Sequence, residues 1–232
     1  MRARFGARAF LTAMPYRIRD GLHWCECSGR IVLLDLFEDR YSSLPSDLGA
    51  IFRRVADGDA LDGDTDAATL AEIGLVVDDE ARQGSPPSPR LDEPVGHLVG
   101  QQLHGTTPVR VAAAIAAQLG WAVALKLVPL ARIVAGFERT GTSAPPGGAD
   151  DALRRLVSDF SAASLWIPAE DHCLIRALAF RSMCARRGIH PKLVFGVRLN
   201  PFRAHCWLQL GRQILIGEFE QARLFTPIAA FG

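Results

Sequence analysis

Cys173 and His205 are the two residues whose types and setting could do covalent chemistry. The segment Asp171-His172-Cys173 leads into an apolar stretch, 174–184, that closes on Arg186-Arg187-Gly188. That is the pattern of a helix whose last turn is supplied with cations and whose stop is a glycine. A thiol in the first turn of such a helix meets unpaired backbone N–H groups and the positive end of the dipole, and both favour the thiolate. Downstream, Ala204-His205-Cys206-Trp207 reads as part of a strand that puts His205, Trp207 and Gln209 on one face and Cys206, Leu208 and Leu210 on the other. A two-residue turn at Gly211-Arg212, glycine first as a type II′ turn prefers, pairs residue 210 with 213 and sets His205 opposite Glu218. Directly opposed side chains have Cβ atoms about 4.5–5.5 Å apart, close enough for a carboxylate to hold the imidazole in one tautomer. Cys173, His205 and Glu218 are therefore a candidate nucleophile, base and orienting acid.

Other readings of these residues stay open. A helical cysteine is often a small buried apolar side chain, the role expected of Cys184 and Cys206, and Cys173 taken alone fits core packing as well as catalysis. His172 adjoins Cys173 on the helix, where neighbouring side chains point apart. His190 precedes Pro191 as a loop residue, and His23, His97 and His104 lie outside the pattern. Asp171 is placed as the helix N-cap, with Asp159 and Glu170 as further carboxylates that could orient an imidazole. Cys25 and Cys27 share one strand face, but no second Cys or His pair stands at zinc-site spacing, so no metal is expected.

Several elements must position these groups. Between residues 16 and 79 the order is strand, strand, short strand, helix, helix: 23–28 and 30–37 about Ser28-Gly29, then 40–44, then helices over 46–56 and 66–73. Gly-Ser-Pro-Pro-Ser-Pro at 84–89 opens a linker, and the domains are read as 1–85, a linker over 86–108, and 109–232. The second domain starts with a helix over 109–137, kinked at Pro129, and a helix over 150–165. Strands follow at 192–199, 203–210 and 213–219. The fold class is α+β.

The bulk composition narrows the partners. With 49% apolar residues the 232-residue chain can bury proper cores. Its 26 Lys and Arg nearly cancel 25 Asp and Glu, which disfavours binding to nucleic acid. Five cysteines, an odd number without a disulfide rhythm, fit a reducing compartment. The basic N-terminus has too short an apolar stretch for a signal peptide, so a cytoplasmic location is expected. Residues 111–136 are interrupted by Gln118, Gly120, Lys126, Pro129 and Arg132, and read as a buried or amphipathic helix, not a membrane span. No phosphate-binding Gly-x-x-x-x-Gly-Lys loop is present, and no cofactor is expected.

The run Asp171-His172-Cys173-Leu174-Ile175-Arg176-Ala177-Leu178, then Phe195-Gly196-Val197-Arg198 and Pro201-Phe202-Arg203-Ala204-His205-Cys206-Trp207, resembles the lasso-peptide B proteins. These are transglutaminase-like leader peptidases with a papain-like cysteine protease architecture of helices packed on an antiparallel sheet. The resemblance implies that Cys173 attacks, His205 activates it and Glu218 completes the triad. The family usually carries Ala where this chain has Cys206, and Asp where it has Glu218. Residues 16–79 resemble the PqqD-like precursor-recognition element, a winged-helix module of three strands and three helices. It takes up a leader peptide beside its third strand, here Arg40, Tyr41, Ser42, Ser43 and Leu44. The role implied is removal of the leader from a ribosomally made precursor, before a separate ATP-dependent, asparagine-synthetase-like cyclase closes the ring. The alternatives are a non-catalytic peptide- or DNA-binding protein on the same scaffold, and an enzyme that passes the acyl group to an amine instead of water.

Overall fold

A computed structural model describes residues 16–59, 64–78, 89, 91–98, 105–137, 149–167, 172–217 and 219–232. The N-terminal unit begins with β1 (Tyr16–Ile18), β2 (Leu22–Cys27), β3 (Arg30–Asp35) and β4 (Arg40–Ser43), then α1 (Ser46–Asp57), α2 (Asp64–Glu72) and β5 (Val76–Asp78). Strands β2, β3 and β4 form an antiparallel sheet in that order, while β5 returns to pair with β1. The order of three strands and two helices follows the sequence expectation. The third helix of a winged-helix module is not found among the described residues.

Strand alternation sends the two faces of this sheet into different cores. Leu22, Trp24, Ile31 and Leu33 pack with Phe52 and Val55 of α1, Leu70 of α2 and Val76 of β5. Cys25, Cys27, Val32 and Leu34 instead join the main core of the C-terminal half. This explains why Ile31-Val32-Leu33-Leu34 is apolar without alternation, the mark of a strand covered on both sides. Across the boundary, His23 meets Phe231 edge to face at 5.2 Å.

Within the segment read as a linker, residues 96–97 form a short strand, β6 (Gly96–His97), flanked by backbone hydrogen bonds from Val95 to Arg212 and from Leu98 to Ile214. Beyond it come α3 (Pro108–Leu127), α4 (Leu130–Ala135), α5 (Ala149–Ala163) and α6 (Cys173–Ala185). The expected kink at Pro129 is a full break. Val128 is forced into an extended conformation (φ −124°, ψ 123°) by the proline that follows it. Gln118 does not interrupt α3, because it is buried and its Nε2 donates to Ala114 O at 3.2 Å. The helix thus reaches 20 residues, long and apolar enough by length and composition to cross a membrane. The buried-helix reading is corrected too: α3 packs on α5 and α6 but leaves Val109, Leu119, Val123 and Leu127 exposed.

The last part of the chain supplies β7 (Lys192–Arg198), β8 (Arg203–Leu210), β9 (Gln213–Ile216), α7 (Phe219–Ala222) and β10 (Thr226–Phe231). The sheet order is β10-β7-β8-β9-β6, antiparallel except for β6 beside β9. One face carries Leu193, Phe195, Val197, Cys206 and Leu208 into the main core with α6. The other carries Val194, Trp207 and Ile214 into a smaller core under α7.

Candidate active site

Helix α6 starts at Cys173, with His172 at the N-cap position and its carbonyl accepting from the Arg176 N–H at 2.9 Å. The cap expected at Asp171 thus falls one residue later, and Asp171 lies outside the described residues. Cys173 is then the first helical residue, and its N–H is one of those with no partner inside the helix. Its side chain is half-buried against the main core, which contains Cys206.

Strand β8 brings the other groups to it. His205 lies opposite Gly196 of β7, and its ring stacks on Trp207 (centroids 6.2 Å, 24°) and leans on Phe225 (5.3 Å, 40°). Two glycines make room for this aromatic backing. A Cβ on Gly196 would stand 2.7 Å from Trp207 Cζ3, and one on Gly217 would stand 2.7 Å from Trp207 Cβ. Gly217 also holds φ 108°, which an L side chain rarely adopts, so both positions are closed to larger residues.

The hairpin behaves as expected for two pairs and then departs. Gly211 has φ 56°, and Leu210 pairs with Gln213 and Gln209 with Ile214. The register then slips, so that Leu208 pairs with Ile216, and β9 ends there. The cause is a bulge that turns both Leu215 and Ile216 into the main core, while Ile214 faces the smaller one. Among the described residues His205 therefore has no partner across this ladder. Glu218 lies outside the described residues, immediately after Gly217.

The short β9 has a chemical consequence. Every second residue of β8 turns its N–H toward β9, and Leu210, Leu208 and Cys206 are in that phase. With the ladder ended at Leu208, the Cys206 N–H is free to donate to Cys173 Sγ. The Cys173 thiol is held down to about 4: the Cys206 thiol donates to it, and His205 and the Cys206 N–H add to this against the opposing effect of burial. These contacts favour the thiolate form of Cys173. The Cys206 thiol is correspondingly raised, first by its hydrogen bond to Cys173 and then by burial. Burial alone is the main cause that pushes Cys25 and Cys184 each up to about 12.

His205 Nε2 is buried and has no hydrogen-bond partner among the described residues. A Cβ on Gly217 would stand 3.6 Å from that Nε2. Of the other carboxylates, Asp159 is engaged elsewhere, bonded to Arg110 at 3.3 Å, and Glu170 lies outside the described residues. No cluster of three His, Cys, Asp or Glu suited to a metal is found among the described residues.

The candidate recognition strand sits beside this centre. In β4, Tyr41 is half-buried against the main core, 5.7 Å from the ring of Phe202 in the β7–β8 hairpin. Burial raises its hydroxyl first, and the charges of Cys206 and Cys173 raise it further, which puts it within electrostatic range of the thiolate. Ser42 and Ser43 are exposed, as is Arg40. Leu44 turns into the N-terminal core, and its N–H bonds Ile31 O at 3.0 Å, so it holds the strand to β3.

Residues 115–230 match the model of the Transglutaminase-like superfamily, half of the chain and the half that carries Cys173 and His205. This chain belongs to that superfamily. No curated protein and no solved structure matches the chain. Within the transglutaminase-like domain, sequence reasoning had taken Cys206 for packing and had not found Phe225, Gly217 or the approach of Tyr41. The one local signal is the place of Cys206, next to His205 on the strand.

Proposed function

We propose that this protein is a cysteine endopeptidase that binds the leader of a ribosomally made precursor of the lasso-peptide kind and cuts it from the core before macrocyclisation. The observation that carries the reading is Cys173 at a helix N-terminus, its thiol held low by Cys206 and His205, near a sheet edge that is open among the described residues. Cys173 Sγ attacks the scissile carbonyl carbon, and the Cys173 N–H, unpaired at the helix start, donates to the oxygen that gains charge. His205 gives a proton to the departing amine, then takes one from the water that hydrolyses the thioester. The two half-reactions return the thiolate and free the amine of the core.

Glu218 is the proposed third member. A buried Nε2 without a partner among the described residues calls for an acceptor, and the chain passes that atom at Gly217. The leader adds to β4, which among the described residues pairs with β3 alone and leaves its other edge open. Its partners in the cell are the precursor and an ATP-dependent cyclase, in a reducing cytoplasm. The test is to incubate the purified protein with the short peptide encoded beside its gene and follow both by mass spectrometry. Wild type yields leader and core, and Cys184→Ala does the same. Cys173→Ala binds the peptide and leaves it whole. Cleavage by Cys173→Ala would overturn the reading.

A further inference from the structure

We infer that the outward face of α3 is a docking surface for an anionic lipid bilayer, on which the protein lies without crossing it. This membrane contact is independent of the peptidase reading.

The first support is apolar. One side of α3 is held against α5 and α6, through buried Ala114 and Gln118 and through Trp121, whose Nε1 donates to Ser182 Oγ at 3.2 Å. The other side, over Val109, Ala112, Ala116, Leu119, Val123 and Leu127, is exposed, and its steps of three or four residues make one continuous stripe. A helix that is apolar on every side belongs in a core or in lipid. With 11% of its apolar window buried in the protein, α3 is not in a core. Its packing on two helices fixes it along the surface, so it can lie in a bilayer interface but not span one.

The second support is charge. Residues 105–137 contain Arg110, Lys126 and Arg132 and no Asp or Glu, and residues 173–188 contain Arg176, Arg181, Arg186 and Arg187, again without an acid. Asp159 of α5 neutralises Arg110, and Arg181 is buried on Pro191 O, while Lys126, Arg132 and Arg187 are exposed. The acids at the start of α5, Asp150 and Asp151, are balanced by Arg154 and Arg155 of the same helix. Beside the stripe, a groove of about 500 Å³ between α3 and α6 repeats the pattern, with Gly120, Ala124 and Met183 along it and Arg186 in its lining. An anionic bilayer supplies acyl chains for the stripe and phosphates for the cations. A second copy fits less well. A stripe about 30 Å long and about 10 Å wide offers roughly 300 Å², under half of the about 800 Å² per partner of a stable interface. It would also set Lys126 and Arg132 against cations of their own kind.

The test scores no cleavage, so its failure leaves the peptidase reading untouched. Full-length protein is floated through a density gradient with vesicles of equimolar phosphatidylcholine and phosphatidylglycerol, or of phosphatidylcholine alone. Wild type rises with the mixed vesicles and about tenfold less with the neutral ones, and high salt weakens the former. Leu119→Glu with Val123→Glu, at side chains 58% and 57% exposed, lowers flotation about tenfold or more. Lys126→Glu lowers it on the mixed vesicles alone. Ile73→Glu, at a side chain 50% exposed in the N-terminal unit, floats as wild type does. Wild type that floats with neither vesicle, or equally with both, overturns the inference whether or not the variants fold. Undiminished flotation of the folded double variant overturns it too. So does a wild-type dimer in sedimentation equilibrium that the double variant abolishes, which would make the face a seam between copies.

Discussion

At the scale of residues, the site is a thiol with two different neighbours. His205 offers a base and a charge, while Cys206 offers a thiol and a backbone N–H, and together they outweigh the burial that would raise Cys173. His205 Nε2 has no hydrogen-bond partner among the described residues. With Glu218 as its proposed partner, Glu218→Gln cuts turnover roughly tenfold or more with little change in melting temperature, because an amide can still bond the ring but does not stabilise imidazolium. Glu218→Asp is milder, since the charge is kept. Adding Glu218→Gln to His205→Ala has little further effect, as groups that act as one unit lose activity non-additively. Wild-type turnover in Glu218→Gln would remove it from the site. The residues of the pair were legible in the sequence because a helix start and a strand alternation are local patterns. The thiol contact from Cys206 was not, because β8 presents Cys206 on the face opposite His205 and only the short β9 opens its N–H to Cys173.

At the scale of elements, α1, α2, α5, α6 and the strands β2, β3, β7 and β8 followed the periodicity, whereas the departures are nonlocal. The bulge at Leu215 depends on which of two cores each side chain enters, and β6 gains its place only from β9. β10 was not foreseen, since its second residue, Pro227, suits an edge strand and reads poorly as strand in isolation. Geometry also sharpens the recognition strand. Leu44 donates to Ile31, so Leu44, Ser42 and Arg40 face β3, and the N–H groups of Tyr41 and Ser43 face the open edge. Ser43→Pro therefore weakens leader binding, by about tenfold for one lost hydrogen bond and the steric block, with the fold intact. Ser42→Pro breaks the β3 ladder and lowers the melting temperature instead. Isothermal titration of leader peptide into Cys173→Ala carrying each change separates the two, and equal binding by Ser43→Pro would mean that the leader docks elsewhere.

At the scale of the whole molecule, the two halves share a core. The β2–β3 face that carries Cys25, Val32 and Leu34 is packed into the C-terminal half, and Tyr41 reaches the catalytic hairpin. The proposed recognition strand and the Cys173–His205 site are thus held at a fixed separation. Leu34→Ala, at a side chain 1% exposed in that shared core, costs about 2–5 kcal/mol. Thermal unfolding followed by hydrogen exchange at β3 and at β8 then shows both losing protection together. Separate transitions would contradict the shared core. A fragment of residues 1–85 would expose that apolar face, so leader binding belongs in the full chain. Most direct of all is the pH dependence of Cys173 alkylation by iodoacetamide in the full-length protein, read by peptide mapping. An ordinary thiol gains reactivity as pH rises through 9.0, while Cys173 gains it through about 4 and stays level above. The account predicts that low inflection in wild type, with Cys173 labelled before every other cysteine, and a rise of the inflection in His205→Ala. An inflection near that of a free thiol, or first labelling at Cys184, would contradict it.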